Sequence, residues 1–280
     1  MPLTRTLRRA MPLTVLAGLA AGATTLATVI AVPTTAGADA PDSQVRLMSS
    51  SGHPTNAGKV YRWGNSQWHD GFTEPLWRSW HVNRPRHVRN QHGMLTIEAG
   101  RTPHTVSATL AGHARRYGRW ETRVRANQYA TGHTPYRVVA ELIPAAGAAY
   151  HCGARNIVLA GYKLGAHRAG MSIRTLPDRK FSAGIRRNLG PGHFHTYAVE
   201  VTRTHISWFV DARVRMTERR PAARSGIKYQ VRFRLVAAPG KQMNPGRMQM
   251  DWIRYYTLER RNARSIDAPH AHRSTYGHAC

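Results

Sequence analysis

The chain has 280 residues, enough for one sizeable β domain with appendages at both ends. Lysine and arginine number 41 against 14 aspartates and glutamates, a formal charge of +27, and the basic residues are scattered rather than gathered in blocks. That balance draws the protein to polyanions, but no zinc-finger, phosphate-loop or RNA-binding signature accompanies it, so no specific nucleic-acid site is expected.

Residues 1–40 open on Arg5, Arg8 and Arg9, continue in an uncharged, mostly apolar run from Met11 to Val32, and end on Ala38-Asp39-Ala40, a small-x-small cleavage site. They predict a signal peptide and a secreted protein, extracellular or associated with a cell wall. The length of the run keeps a retained anchor as the alternative. No second long apolar stretch follows, so no membrane association is expected after cleavage. Losing residues 1–40 removes three arginines and one aspartate and leaves a charge of +25. Residues 41–62 are polar and read as a linker.

From Trp63 onward, short apolar runs rich in Val, Ile, Leu, Tyr and Trp recur between Gly, Pro, Asn and His. Examples are Met94 to Ile97, Tyr136 to Ile143, Thr196 to Val201, Val231 to Ala237 and Met248 to Tyr256. This rhythm predicts an all-β sandwich or jelly roll. Around Trp120 the alternation is regular: Trp120, Thr122, Val124 and Ala126 share one face, and Arg119, Glu121, Arg123 and Arg125 the other. Residues 260–280 are basic and His-rich and read as a disordered tail. No acid or cysteine cluster joins His270, His272 and His278, so neither a metal nor a cofactor is expected. The two cysteines, Cys152 and Cys280, are expected to pair in an exported chain, with two free thiols as the alternative.

Four segments, in order, resemble glycoside hydrolase family 16, the laminarinase and lichenase group. They are Trp68-His69-Asp70-Gly71-Phe72 with Trp77 and then Gly93 to Ala99; Tyr117 to Val124; Phe194 to Thr202 running into Ile206 to Asp211; and Met250 to Tyr256. Together they span residues 63–259. The resemblance implies a concanavalin A-like jelly roll with a cleft for a polysaccharide across one sheet. It makes Trp120, Trp208 and Trp252 packing residues. It puts His195 near the cleft, with a framework hydrogen-bonding role equally open. It matches Asp251 to a position that helps hold calcium in some relatives, while the partner position is Gly71 here.

The family's catalytic pair comes from one strand, in a Glu-x-Asp-x-(x)-Glu motif, because retaining hydrolysis needs two carboxyl groups about 5–5.5 Å apart. The corresponding stretch, Cys152 to Tyr162, puts Ala154 at the nucleophile, Asn156 at the central Asp, and Val158 or Leu159 at the acid/base. No register repairs this, since no Asp or Glu lies between Glu141 and Asp178. One strand earlier, Arg137 and Glu141 replace two tryptophans that the family turns toward its substrate. Four residues apart on a strand, they share a face, which predicts an ion pair in the cleft floor, either structural or part of a polar binding site.

The resulting expectation is a non-catalytic binder of extracellular or cell-wall polysaccharide of anionic character. Its candidate contacts are Arg137, Glu141, Arg155, Asn156, Tyr162 and His195, with Tyr129, Tyr136 and Tyr150 as loop stacking surfaces. The alternative is an active hydrolase with relocated acids, for which Glu141 with Glu121 is the candidate pair. A second alternative is an envelope protein that acts through charge alone. Oligomeric state and ligand identity are left open by the sequence.

Overall fold

A computed structural model of the chain describes residues 54–76, 79–145 and 154–277. The expectations on residues 1–40, Trp77, Tyr150, His278 and the Cys152–Cys280 bridge lie outside the described residues. Within them, eighteen strands, numbered in chain order, form two antiparallel sheets of eight and one short parallel pair.

The first sheet runs β14 (Arg213–Glu218), β13 (Ile206–Val210), β12 (His195–Val201), β6 (Gly118–Gln128), β17 (Gly246–Tyr256), β4 (Leu95–Ala99) and β3 (Val88–Asn90), with β1 (Trp68–Asp70) also paired to β17. The second runs β18 (His272–Thr275), β11 (Arg179–Arg186), β10 (Arg168–Thr175), β9 (Ile157–Lys163), β8 (Arg137–Pro144), β15 (Tyr229–Val236), β5 (Val106–Leu110) and β2 (Trp80–Val82). The parallel pair is β7 (Thr134–Pro135) with β16 (Met243–Asn244). The jelly-roll sandwich read from the sequence is the fold observed.

Strand alternation explains the sandwich. In β15, Tyr229, Val231, Phe233 and Leu235 are buried while Gln230, Arg232 and Arg234 face outward. In β8, Val138, Ala140 and Leu142 turn into the core, and Arg137, Val139 and Glu141 turn out. The core between the sheets holds Trp120, Trp208, Tyr197, Phe181 and Phe233. Each such aromatic removes roughly 150–250 Å² from water, which makes them the main stabilising contacts of the sandwich. Trp120 and Trp208 are therefore packing residues. Trp252 is half-buried outside the main core, with the Arg254 guanidinium 4.0 Å above its ring.

Two expectations about the ends are revised. The segment read as a linker includes a single-turn helix, α1 (Ala57–Val60). Ala57 and Trp63 pack on Ala198, Phe209, Ala212 and Tyr256 on the outer face of the first sheet, in a second, smaller apolar cluster. Gly58 lies so close to the sheet that a Cβ there would sit 2.6 Å from the Tyr256 hydroxyl. The segment read as a disordered tail forms a 3-10 turn, Ala263–Ile266, and then β18, which pairs with the edge strand β11. Tyr276 Oη donates to the Thr175 carbonyl at 2.9 Å. Backbone pairing at a sheet edge orders this stretch despite its low hydrophobicity.

Candidate functional site

The outward face of the second sheet carries a groove of about 360 Å³. Its floor is built from four neighbouring strands: Arg137, Val139 and Glu141 from β8, Val158 from β9 with Asn156 just before it, Ser172 and Arg174 from β10, Arg232 and Arg234 from β15. Lys180 of β11 closes one side. Among the lining residues Glu141 is the only carboxylate, against five cations.

Glu141 is buried and fully engaged. Arg232 Nε donates to its Oε1 at 2.9 Å, Arg234 Nε pairs with the same oxygen at 2.8 Å, and Asn156 Nδ2 donates to Oε2 at 3.0 Å. Its side chain is 2% exposed and those of the two arginines about a quarter exposed. A carboxylate that accepts hydrogen bonds from Arg232 and Asn156 and pairs with the Arg234 charge is an anion that orders two forks. Arg137, Arg174 and Lys180 form no ion pair among the described residues. Burial lowers the Lys180 pKa, and the nearby Arg174 and Arg137 charges lower it further. Burial also lowers the Arg234 pKa, opposed by Glu141 and reinforced by Arg232 and Arg137. The groove thus holds like charges against their mutual repulsion, which a bound anion relieves.

Glycine makes room for one of these forks. A Cβ on Gly161 would lie 3.0 Å from Arg137 Nη2, so the absence of a side chain lets the guanidinium lie across β9. A bulge in the same strand sets which residues reach the floor. Against β8, Ala140 pairs with Ala160 and Glu141 with Val158, which leaves Leu159 as the extra residue.

No family model matches the chain, and no curated protein matches it in sequence. Solved structures do match in shape. A non-specific endo-β-1,3(4)-glucanase of family GH16 aligns at a TM-score of 0.57 and 16% identity, over 70% of this chain and 91% of that one. The laminarinase from Rhodothermus marinus aligns at 0.56 and 18%, over 69% and 96%. The laminarinase from Flavobacterium sp. UMI-01 aligns at 0.55 and 15%, over 69% and 100%. The fold is that of the family 16 laminarinases.

On this laminarinase fold the expected residues sort clearly. Arg137, Glu141 and Asn156 meet in the groove. Arg137 and Glu141 share a face as expected, but the ion pair is not between them. Glu141 takes Arg232 and Arg234 instead, because Arg232 stands directly opposite it in the β8–β15 register. A cross-strand partner is about 5 Å away, whereas a residue four positions along the strand is about 13 Å away. Arg155 precedes Asn156 with a left-handed backbone (φ 67°), and its N–H donates to the Arg174 carbonyl; it does not line the groove. At the degenerate motif positions, Ala154 is buried, Asn156 holds Glu141, and Val158 faces the groove, while Leu159 packs in the core.

Three expected contacts are corrected. Tyr162 points into the core, where burial raises its pKa far above the ordinary phenol value. The bulge reverses the alternation after Val158, so Gly161 rather than Tyr162 abuts the groove. Tyr136 is buried too, and its hydroxyl donates to the Gly100 and Thr102 carbonyls at 3.0 and 2.8 Å. His195 belongs to the first sheet and does not line the groove. Its Nδ1 meets Asp211 Oδ2 and its Nε2 meets the Asn188 carbonyl, both at 2.9 Å. Two acceptors require two N–H groups, so this is an imidazolium in a framework role. Burial opposes that charge, but the Asp211 and Asn188 hydrogen bonds outweigh it and raise the pKa. Tyr129 is 54% exposed on a loop.

The proposed acid pair is also excluded by placement. Glu121 is buried on the outer face of the first sheet, where the Ala57 and Gly58 N–H groups and the Tyr256 hydroxyl donate to it. Glu141 faces outward from the second sheet, with the core between them. Two carboxylates on opposite sides of a sandwich cannot flank one glycosidic bond. Asp251, matched to a calcium position in the resemblance, is instead held by Arg123 Nη1 at 2.6 Å. The sequence reading missed Ser172, Arg174, Lys180, Arg232 and Arg234.

Proposed function

We propose that the chain is a non-catalytic binder of anionic polysaccharide, exported by residues 1–40 and acting outside the cell. One observation carries the reading: a groove floor with five cations whose single carboxylate is already consumed by Arg232, Arg234 and Asn156. Solved proteins of the same fold are named as β-glucanases and laminarinases, which makes a glycan the natural ligand class. A neutral sugar gains little from such a floor, since no aromatic ring among the described residues lines it. A carboxylate or phosphate on each repeat unit gains charge-assisted hydrogen bonds from Arg137, Arg174 and Lys180. Hydrolysis lacks a second carboxylate beside Glu141 among the lining residues, and Glu141 itself is paired with Arg232 and Arg234.

Calorimetric titration with oligogalacturonate and with laminari-oligosaccharide tests the reading. The expected result is binding of the acidic oligomer alone, weakened about tenfold for each cation removed in Arg137→Ser, Arg174→Ser and Lys180→Ser. Equal binding of both oligomers, or acidic binding untouched by these changes, refutes it.

A further inference from the structure

We propose that the protein is bivalent: a second polyanion site on the outer face of the first sheet lets one molecule join two anionic polymer chains. The inference rests on the reading of the groove as the first site. An open basin of about 770 Å³ lies on this face, framed by Lys59, Arg62, His69, Arg254 and Arg260. These residues come from the N-terminal segment, β1, β17 and the stretch after β17, which the fold gathers onto one face.

The carboxylates of that sheet answer little of this charge: Glu121 feels the Arg254 charge without forming an ion pair with it. Glu121 beneath the basin accepts from the Ala57 and Gly58 N–H groups and from Tyr256. Asp211 is held by His195 and Arg187, Glu200 by Arg119 and His205, and Asp251 by Arg123. No described carboxylate forms an ion pair with Lys59, Arg62, Arg254 or Arg260. Tyr256, buried under the basin, and Trp252, with Arg254 over its ring, give the cations a rigid bed.

The basin's form points to a polymer rather than a small ion. It is open, so a lone anion would meet one or two hydrated cations and bind weakly. An extended chain with a charge on every unit engages all of them and releases its counterions. The groove and the basin face away from each other across the sandwich, so two separate chains can occupy them, and linked occupancy raises avidity without new contacts.

The test uses the purified full chain with short oligogalacturonate for stoichiometry and long polygalacturonate for light scattering. Three variants are compared: Lys59→Ser/Arg62→Ser/Arg260→Ser in the basin, Arg137→Ser/Arg174→Ser/Lys180→Ser in the groove, and Arg84→Ser/Arg86→Ser/Arg116→Ser as a control with the same loss of charge. The three basin and three control side chains are exposed, so folding is expected to survive, and a thermal melt of each checks it. The expected result is two equivalents bound per native chain and scattering that peaks at an intermediate polymer ratio. The basin variant then loses one equivalent and the scattering, keeps groove binding, and the control stays within twofold of native.

One equivalent in the native chain, removed only by the groove variant, overturns bivalency and leaves the groove reading standing. One equivalent removed only by the basin variant overturns both. A control that loses as much as either variant also overturns both, since charge alone then explains binding. Scattering with anionic vesicles but none with polygalacturonate makes the basin's occupant a lipid surface and overturns the polymer bridge.

Discussion

At the residue scale, Glu141 anchors two guanidinium groups in the groove floor. Removing its charge in Glu141→Gln leaves Arg232 and Arg234 three-quarters covered and facing each other. Unfolding by urea is expected to show a loss of about 3 kcal/mol, while acidic oligosaccharide binds at least as tightly as before. A loss of binding would instead make Glu141 a direct ligand contact. Asp211 and His195 set the pH response in opposite senses. Asp211, opposed by burial but bonded to His195, Thr196 and Arg187, has a lowered pKa, so its contribution is present above the ordinary aspartate value and lost as pH falls through the folded one. His195, with a raised pKa, contributes below about 6.5 and loses this as pH rises through its folded value. Asp211→Asn is expected to lower the His195 titration midpoint in NMR; an unmoved midpoint would contradict the pairing.

Glu121 adds a third term. Burial pushes its pKa up to about 7 against the Gly58 and Ala57 hydrogen bonds. A raised acid pKa means the folded state holds its proton longer than the unfolded one. Stability therefore declines as pH rises from the ordinary glutamate value of 4.5 to about 7. Glu121→Gln is expected to reduce the decline between pH 5 and pH 8 in urea unfolding curves to the His195 part, and a decline of native size in the variant would refute the assignment.

At the scale of elements, the strands and their facing were legible and the bulge was not. Period-two alternation placed Arg137 and Glu141 on one face correctly. The same rule, carried from Asn156 through Val158, would turn Tyr162 toward the groove, and one extra residue at Leu159 reverses it. The motif comparison found Asn156 because it occupies a position the resemblance marks. It had no means to find Arg232 and Arg234, which come from a strand 91 and more residues away and meet Glu141 only through register. Their signal was present all the same in Val231-Arg232-Phe233-Arg234-Leu235, an alternation of buried apolar and outward basic residues. The ends misled for a related reason: polar composition predicts loose chain, but Ala57 and Gly58 dock on Glu121 and β18 docks on a sheet edge through backbone groups that composition does not report. An element-scale test lies in Gly161→Ala. The added Cβ meets the end of the flexible Arg137 side chain and Val158 at 3.0 and 3.2 Å. The strand is expected to keep its stability within about 1 kcal/mol, while oligogalacturonate binding weakens several-fold. Unchanged binding would show that the lie of Arg137 across β9 does not matter.

At the scale of the molecule, a charge of +27 on the chain raises the local concentration of any polyanion, so specific and general attraction need separating. The groove adds geometry to that attraction. Binding through the groove is expected to keep a difference between acidic and neutral glycans at a salt concentration where long-range attraction is screened to about 8 Å. In the proposed reading, the fold shared with laminarinases supplies the surface for a glycan, and the missing carboxylate pair separates holding it from cutting it.

The most direct test of that separation measures, on the same samples, the affinity for polygalacturonate and for laminarin together with the release of reducing ends from each. The account predicts binding of the acidic polymer and no release from either. Release from either polymer that disappears in Glu141→Gln would contradict it and make this groove an active site with rearranged acids.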